Sequence, residues 1–138
     1  MKRLALFALC AIALPAGAQS MEPGLWELSS VLTSTALPKP QSGTVTHCLT
    51  KENAADPARF VSGPQSQKCT ITPGTRTPSS FEWAIACPDQ RMAGTGKLRY
   101  SRTSIDADMR FVVEPEPGKK MDMQTKVSGR LLGPCPAK

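Results

Sequence analysis

Apolar and polar residues alternate with a period of two along most of this chain. The sharpest case is residues 81–87, where Phe81, Trp83, Ile85 and Cys87 fall on one side and Glu82, Ala84 and Ala86 on the other. Successive side chains of a strand point to opposite faces, so this alternation predicts a strand with one face on a core. Upstream, Cys69 and Ile71 alternate in the same phase. An antiparallel register that sets Cys69 opposite Cys87 also sets Ile71 opposite Ile85, so one hairpin accommodates both pairs.

The same period recurs on both sides of this hairpin. After the turn signal Pro23-Gly24, residues 25–32 carry Trp26, Leu28 and Leu32 on one face against Glu27, Ser29 and Val31. Residues 34–43, with Pro38 and Pro40, lack apolar periodicity and are predicted to be a mobile loop ahead of a short strand at 44–49. Thr50 is placed to N-cap one helical turn over 51–55, which Asp56-Pro57 stops. Phe60 and Val61 are the expected apolar contacts of the link that follows, and Ser62-Gly63-Pro64 is its turn; 73–80 is predicted to be a polar loop. Two longer strands then predict a hairpin in which Gly94 faces Phe111 and Gly96 faces Met109 inside, while Arg99 faces Asp106 and Lys97 faces Asp108 outside. After a turn at Pro115-Glu116-Pro117-Gly118, a last strand sets Met121, Met123, Thr125, Val127, Gly129 and Leu131 against Asp122, Gln124, Lys126, Ser128 and Arg130. The expected fold is mainly β: an antiparallel meander of six to seven strands with one short helix, curling at Gly94 and Gly96 into an open barrel or a sandwich, or lidded by the helix.

Residues 1–18 fall outside this pattern. Lys2 and Arg3 precede an apolar run over 4–14 and the small-residue sequence Ala16-Gly17-Ala18, which reads as an export signal cleaved after Ala18. The run is far shorter than the ~20 residues a membrane-spanning helix needs. Residues 19–138 then form a single β domain, expected in the periplasm. Loss of Lys2 and Arg3 takes 17 basic residues to 15 against 11 acids, a net charge of +4. The bases are scattered among acids and not clustered with aromatics, so no nucleic-acid partner is expected. Four cysteines remain, Cys48, Cys69, Cys87 and Cys135, and in an oxidising compartment they predict two disulfides with three possible connectivities. The hairpin register selects Cys69–Cys87, leaving Cys48–Cys135. No C-x-x-C spacing suggests zinc.

Candidate chemistry is sparse. His47 is the single histidine, and with every mature cysteine paired no thiol remains for it to activate. Gly94-Thr95-Gly96-Lys97 lacks the first glycine of a phosphate loop and has Leu98 where Ser or Thr would hold magnesium. Asp106, Asp108 and Asp122 point outward among Lys97, Arg99 and Lys126, where they stay ordinary anions. Met109, Met121 and Met123 share the apolar phase, and core packing explains them with less than a copper-binding thioether cluster would need.

Pro23-Gly24-Leu25-Trp26-Glu27, Cys48-Leu49-Thr50, Ala55-Asp56-Pro57, Cys69, Cys87, and Gly129 with Gly133-Pro134-Cys135-Pro136 together resemble the bacterial exported domain-of-unknown-function family 3617. The resemblance covers essentially the whole mature chain. It departs at residues 34–42, where relatives often carry a Met- and Pro-rich stretch. It implies a small periplasmic, disulfide-containing β protein and supplies no activity. The functional expectation is therefore a non-enzymatic, monomeric domain without cofactor or metal. It would bind a small apolar or amphipathic ligand, or a partner protein, on a face carrying Trp26, Trp83, Tyr100 and Phe111. A structural module of the envelope whose apolar face is consumed by its own core is the alternative, and an enzyme of unknown type the third.

Overall fold

The structure, a computed structural model, describes residues 20–60 and 68–137. The export signal, the apolar contacts of Phe60 and Val61 and the turn at 62–64 lie outside what it describes. Seven strands form one antiparallel sheet: β1 (Gly24–Ser34), β2 (Gln41–Leu49), β3 (Thr70–Thr77), β4 (Ser80–Cys87), β5 (Met92–Tyr100), β6 (Ser104–Glu116) and β7 (Lys119–Gly133). Their order across the sheet is β2-β1-β7-β6-β5-β4-β3. Strands β3 to β7 are the expected meander, and the β1–β2 hairpin joins it at β7. The sheet stays open, neither barrel nor sandwich, with β2 at one edge and β3 at the other.

The chain between β2 and β3 must therefore pass from one edge to the other, a width of roughly 29 Å at about 4.8 Å per strand. Its described part, through residue 60, lies on the apolar face. Helix α1 (Lys51–Ala55) starts where the Thr50 side chain accepts a hydrogen bond from the Asn53 amide at 3.3 Å. Asp56-Pro57 ends it as expected, and a 3-10 turn, Pro57–Phe60, follows at once, with the Asp56 carboxylate accepting from the Ala58 amide. Ala54 is buried and Ala58 packs on the same core.

The predicted registers are present. Ile71 pairs with Ile85, Gly94 with Phe111, Gly96 with Met109, Lys97 with Asp108, and Arg99 with Asp106. Both disulfides form as expected, Cys69–Cys87 and Cys48–Cys135, with Cα separations of 4.2 and 5.6 Å. Two predicted loops are corrected. Residues 34–43 contain only the short link between β1 and β2, held by a hydrogen bond from the Thr35 amide to the Asp122 carbonyl and by one from the Asp122 amide to the Thr35 hydroxyl. Most of residues 73–80 belongs to β3, since an edge strand tolerates Pro73 and absorbs the irregularity as a bulge between Pro73 and Arg76.

The core comprises Met21, Trp26, Leu49, Ala54, Phe81, Trp83, Leu98, Tyr100 and Ile105. Glycines opposite large residues let side chains of one strand lie over the next. A Cβ on Gly96 would sit 2.2 Å from the Trp83 ring, on Gly94 2.4 Å from the Phe111 ring, and on Gly129 2.6 Å from Ile105. The residue over Gly96 is thus Trp83 from β4 and not Met109 from β6. Phe81 stacks on Trp83 with ring centroids 5.5 Å apart. At the lower end the segment before β1 closes the core: the Trp26 indole donates to the Glu22 carbonyl at 3.0 Å, the Glu22 amide donates to the Arg102 carbonyl, and Met21 is buried beneath. Gly24, with φ +152°, takes a backbone conformation that suits glycine, and a Cβ there would lie 2.4 Å from the Gly133 carbonyl oxygen.

Two outcomes follow for urea unfolding of the oxidised mature chain. Trp83→Ala is expected to lose about 3–5 kcal/mol, the usual scale for deleting a buried large aromatic. Gly96→Val is expected to lose at least ~1–3 kcal/mol because the added branch meets an indole with no space to recede; neutrality would place Trp83 elsewhere.

Candidate functional site

The apolar face has two parts. One is sealed: Trp26, Tyr100, Ile105, Leu98, Phe81 and Trp83 are buried, and Leu28, Ala107, Met109, Ile71, Ile85 and Leu131 pack against them. The other continues along the same face, where β1 ends, β7 begins, β6 ends and β5 begins. The register puts Ser34, Met123, Phe111 and Gly94 in one row, with Met121, Val113 and Met92 in the next. Among the described residues, Leu32, Phe111, Val113, Met92, Met121 and Met123 are half-buried and stand outside the packed cluster. The dimensions explain why. Five helical residues span about 7.5 Å, a fraction of a seven-strand face, so α1 covers only the sheet region it touches.

Of the four aromatics expected to meet a ligand, Trp26, Trp83 and Tyr100 lie in the sealed half at 1%, 5% and 7% exposure. Phe111 alone lies in the open half. Sequence reasoning missed Leu32, Val113, Met92, Met121 and Met123 as a group. The available signal was strand length: β6 and β7 run 13 and 15 residues, against 8 for β4 and 9 for β5. His47 is exposed on the edge strand and shares the register row of Trp26, on the apolar side.

The opposite face is polar and carries the described surface grooves. One, of about 880 Å³, crosses β1, β7, β6 and β5 between Thr33, Gln124, Arg110 and Thr95 on one side and Asp122, Val112 and Ala93 on the other, with the intervening row of Ser34, Met123, Phe111 and Gly94 also lining it. Arg110, on its wall, faces the neighbouring Asp108. The Gln124 side-chain amide donates to both Asp108 carboxylate oxygens at 3.1 and 3.0 Å, and Arg110 lies 3.7 Å from the same group. Of the ion pairs expected across β5 and β6, Lys97–Asp108 is replaced, and among the described residues no ion pair joins Arg99 to Asp106. Lys97 stands between Glu82 on β4 and Asp108 on β6, both directly opposite it, and it bonds Glu82 at 2.7 Å. That hydrogen bond and the lysine charge hold the Glu82 carboxyl below the ordinary carboxylate range. A general acid needs the reverse shift. Among the described residues no group of three or more His, Cys, Asp or Glu could hold a metal ion, and no buried side-chain polar atom lacks a partner.

Reversing Arg99 to Glu is expected to leave stability within about 1 kcal/mol of wild type, since its side chain is exposed and solvent screens the change. Acidification should weaken the Lys97–Glu82 contact: a depressed carboxyl pKa contributes stability above its unfolded value, and that is lost as pH falls through the folded one. Urea midpoints of wild type and Glu82→Gln should therefore differ at pH 7 and converge under acid; a constant difference would contradict this.

No curated protein and no solved structure matches this chain. The family described as a protein of unknown function, DUF3617, matches residues 21–135, spanning every strand, the helix and all four bridged cysteines, and the chain belongs to that family.

Proposed function

We propose that this is an exported, non-enzymatic β domain that holds a small apolar or amphipathic ligand on the open half of its apolar face. The observation that carries the reading is the division of that face. If it were wholly consumed by the protein's own core, the row through Met123 and Phe111 would be as buried as the row through Ile105 and Tyr100. Met123 and Phe111 are half-buried instead and lie outside the packed cluster, which this row joins only at Ile85 and Ile71 on β4 and β3. Methionine suits a surface that adapts to more than one apolar shape, being unbranched, flexible and polarisable. Three of the six residues named in this half are Met92, Met121 and Met123. The two disulfides and the lack of any described helix long and apolar enough to cross a membrane are compatible with an exported domain. The non-enzymatic part rests on the chemistry present: cysteines joined in disulfides, one exposed histidine, and on the other face Glu82 and Asp108 held by cationic or amide partners.

Native mass spectrometry of the oxidised mature chain with palmitate tests this. The expected result is one bound palmitate, lost in Met123→Asp and kept in Arg99→Glu, with both variants unfolding cooperatively. No adduct on wild type, or an adduct that survives Met123→Asp, would remove the apolar face as the binding site.

A further inference from the structure

The two edges of the sheet differ in a way that points to a partner. Natural proteins protect exposed edges with proline, bulges, inward turns or charge, because a free edge offers unpaired N–H and C=O groups to any other strand. Edge strand β3 has such protection. It contains Pro73, which has no N–H to give, the bulge between Pro73 and Arg76, and the Arg76 cation itself. Edge strand β2 has none. Its nine residues, Gln-Ser-Gly-Thr-Val-Thr-His-Cys-Leu, include no proline, lysine, arginine, aspartate or glutamate, and pair with β1 in an unbroken register. All but Leu49 are exposed, and Val45 at its midpoint is, at 62%, the most exposed large apolar side chain among the described residues. The edge is also held in place. The Cys48–Cys135 bridge ties it to the end of the chain and the Ser29–Thr44 hydroxyl contact to β1, so pairing would not have to order it first.

We propose that β2 is the interface of a homodimer, in which two copies join their β2 strands antiparallel about a two-fold axis through Val45. Pairing through β3 would require a strand with a missing donor and a broken register, and β2-to-β3 contacts would generate an open chain of subunits. Pairing β2 with β2 closes on itself. The strand suits its own copy. Centred on Val45, the register sets Thr44 opposite Thr46, and His47 opposite Gly43, around which nothing lies within 4 Å of an added Cβ. The large side chain thus meets open space. A strand without charged residues also meets no like charge when it faces itself. Because alternate residues direct their backbone groups to the free side, about four or five residues per strand would bond across the new ladder. The two-fold axis runs perpendicular to the sheet, so the apolar faces of both copies lie on the same side and Val45 extends them across the join. This assembly replaces the monomer expected from the sequence and does not depend on what the open half of the face binds.

Sedimentation equilibrium of the oxidised mature chain near neutral pH, at about 100 µM, tests the proposal. The wild type is expected to be dimeric. Val45→Lys places two ammonium groups at the axis and is expected to raise the dissociation constant at least tenfold. Val31→Lys, which puts the same charge on an exposed valine of β1 away from the edge, is expected to leave it unchanged. A monomeric wild type overturns the proposal, as do equal effects of the two lysines. Should Val45→Lys fail to fold, amide exchange on the unaltered protein decides: free-side amides within β2 are expected to be slowed at high concentration and released on dilution, and concentration-independent exchange there would overturn the interface.

Discussion

A single open sheet has no second layer to pack against, and this one builds its core sideways, by laying large side chains over glycines on the adjacent strand. Trp83 covers Gly96, Phe111 covers Gly94, and Ile105 with Leu28 covers Gly129, each glycine directly opposite a residue that covers it. Glycine in a strand interior ordinarily weakens it. Here the missing side chain is the space that an indole or phenyl ring occupies, and the apolar area so removed from water offsets the lost propensity. The rest depends on this arrangement: the described cover, α1 with the turn after it and Met21, is small, and the face beneath is already packed along its own plane.

That economy has a limit, and the limit falls inside the long strands. Cover from α1, the turn after it and Met21 reaches the part of the face near Trp26, Tyr100 and Phe81. The ends of β6 and β7 carry the same alternation onward, past the packed cluster. A row of apolar side chains is thereby continued for which the fold has no stated need, and that surplus motivates a ligand-holding role. The polar face offers less, because its Glu82 and Asp108 carboxylates already have partners in Lys97, Gln124 and Arg110.

Much of the architecture was legible because each local signal had a single strong cause. Period-two alternation fixed the two faces. The matching of Gly94 to Phe111 and of Arg99 to Asp106 fixed one register by two criteria, and cysteine phase fixed a bridge. Where two partners competed, the sequence was silent. Lys97 lies opposite a carboxylate on each side, and Trp83 opposite Gly96 competes with Met109 for the same space; alternation says only that all share a face. Strand order was not legible either, since nothing local tells β1 to pair with β7. Pro73 misled because proline usually ends a strand, and only its place at an edge makes it tolerable. The separation of sealed from open apolar positions escaped for a related reason: burial depends on how far a cover reaches, which the alternation does not encode.

Methionine oxidation tests the division of the face most directly. With dilute hydrogen peroxide on the folded, oxidised chain and peptide mass spectrometry as readout, the account predicts fast sulfoxide formation at Met121 and Met123. Met109, packed against the core edge, should be slower, and Met21, at 2% exposure, slower again. Protection of Met121 and Met123 equal to that of Met21 would mean that the whole apolar face is sealed, and would contradict the account.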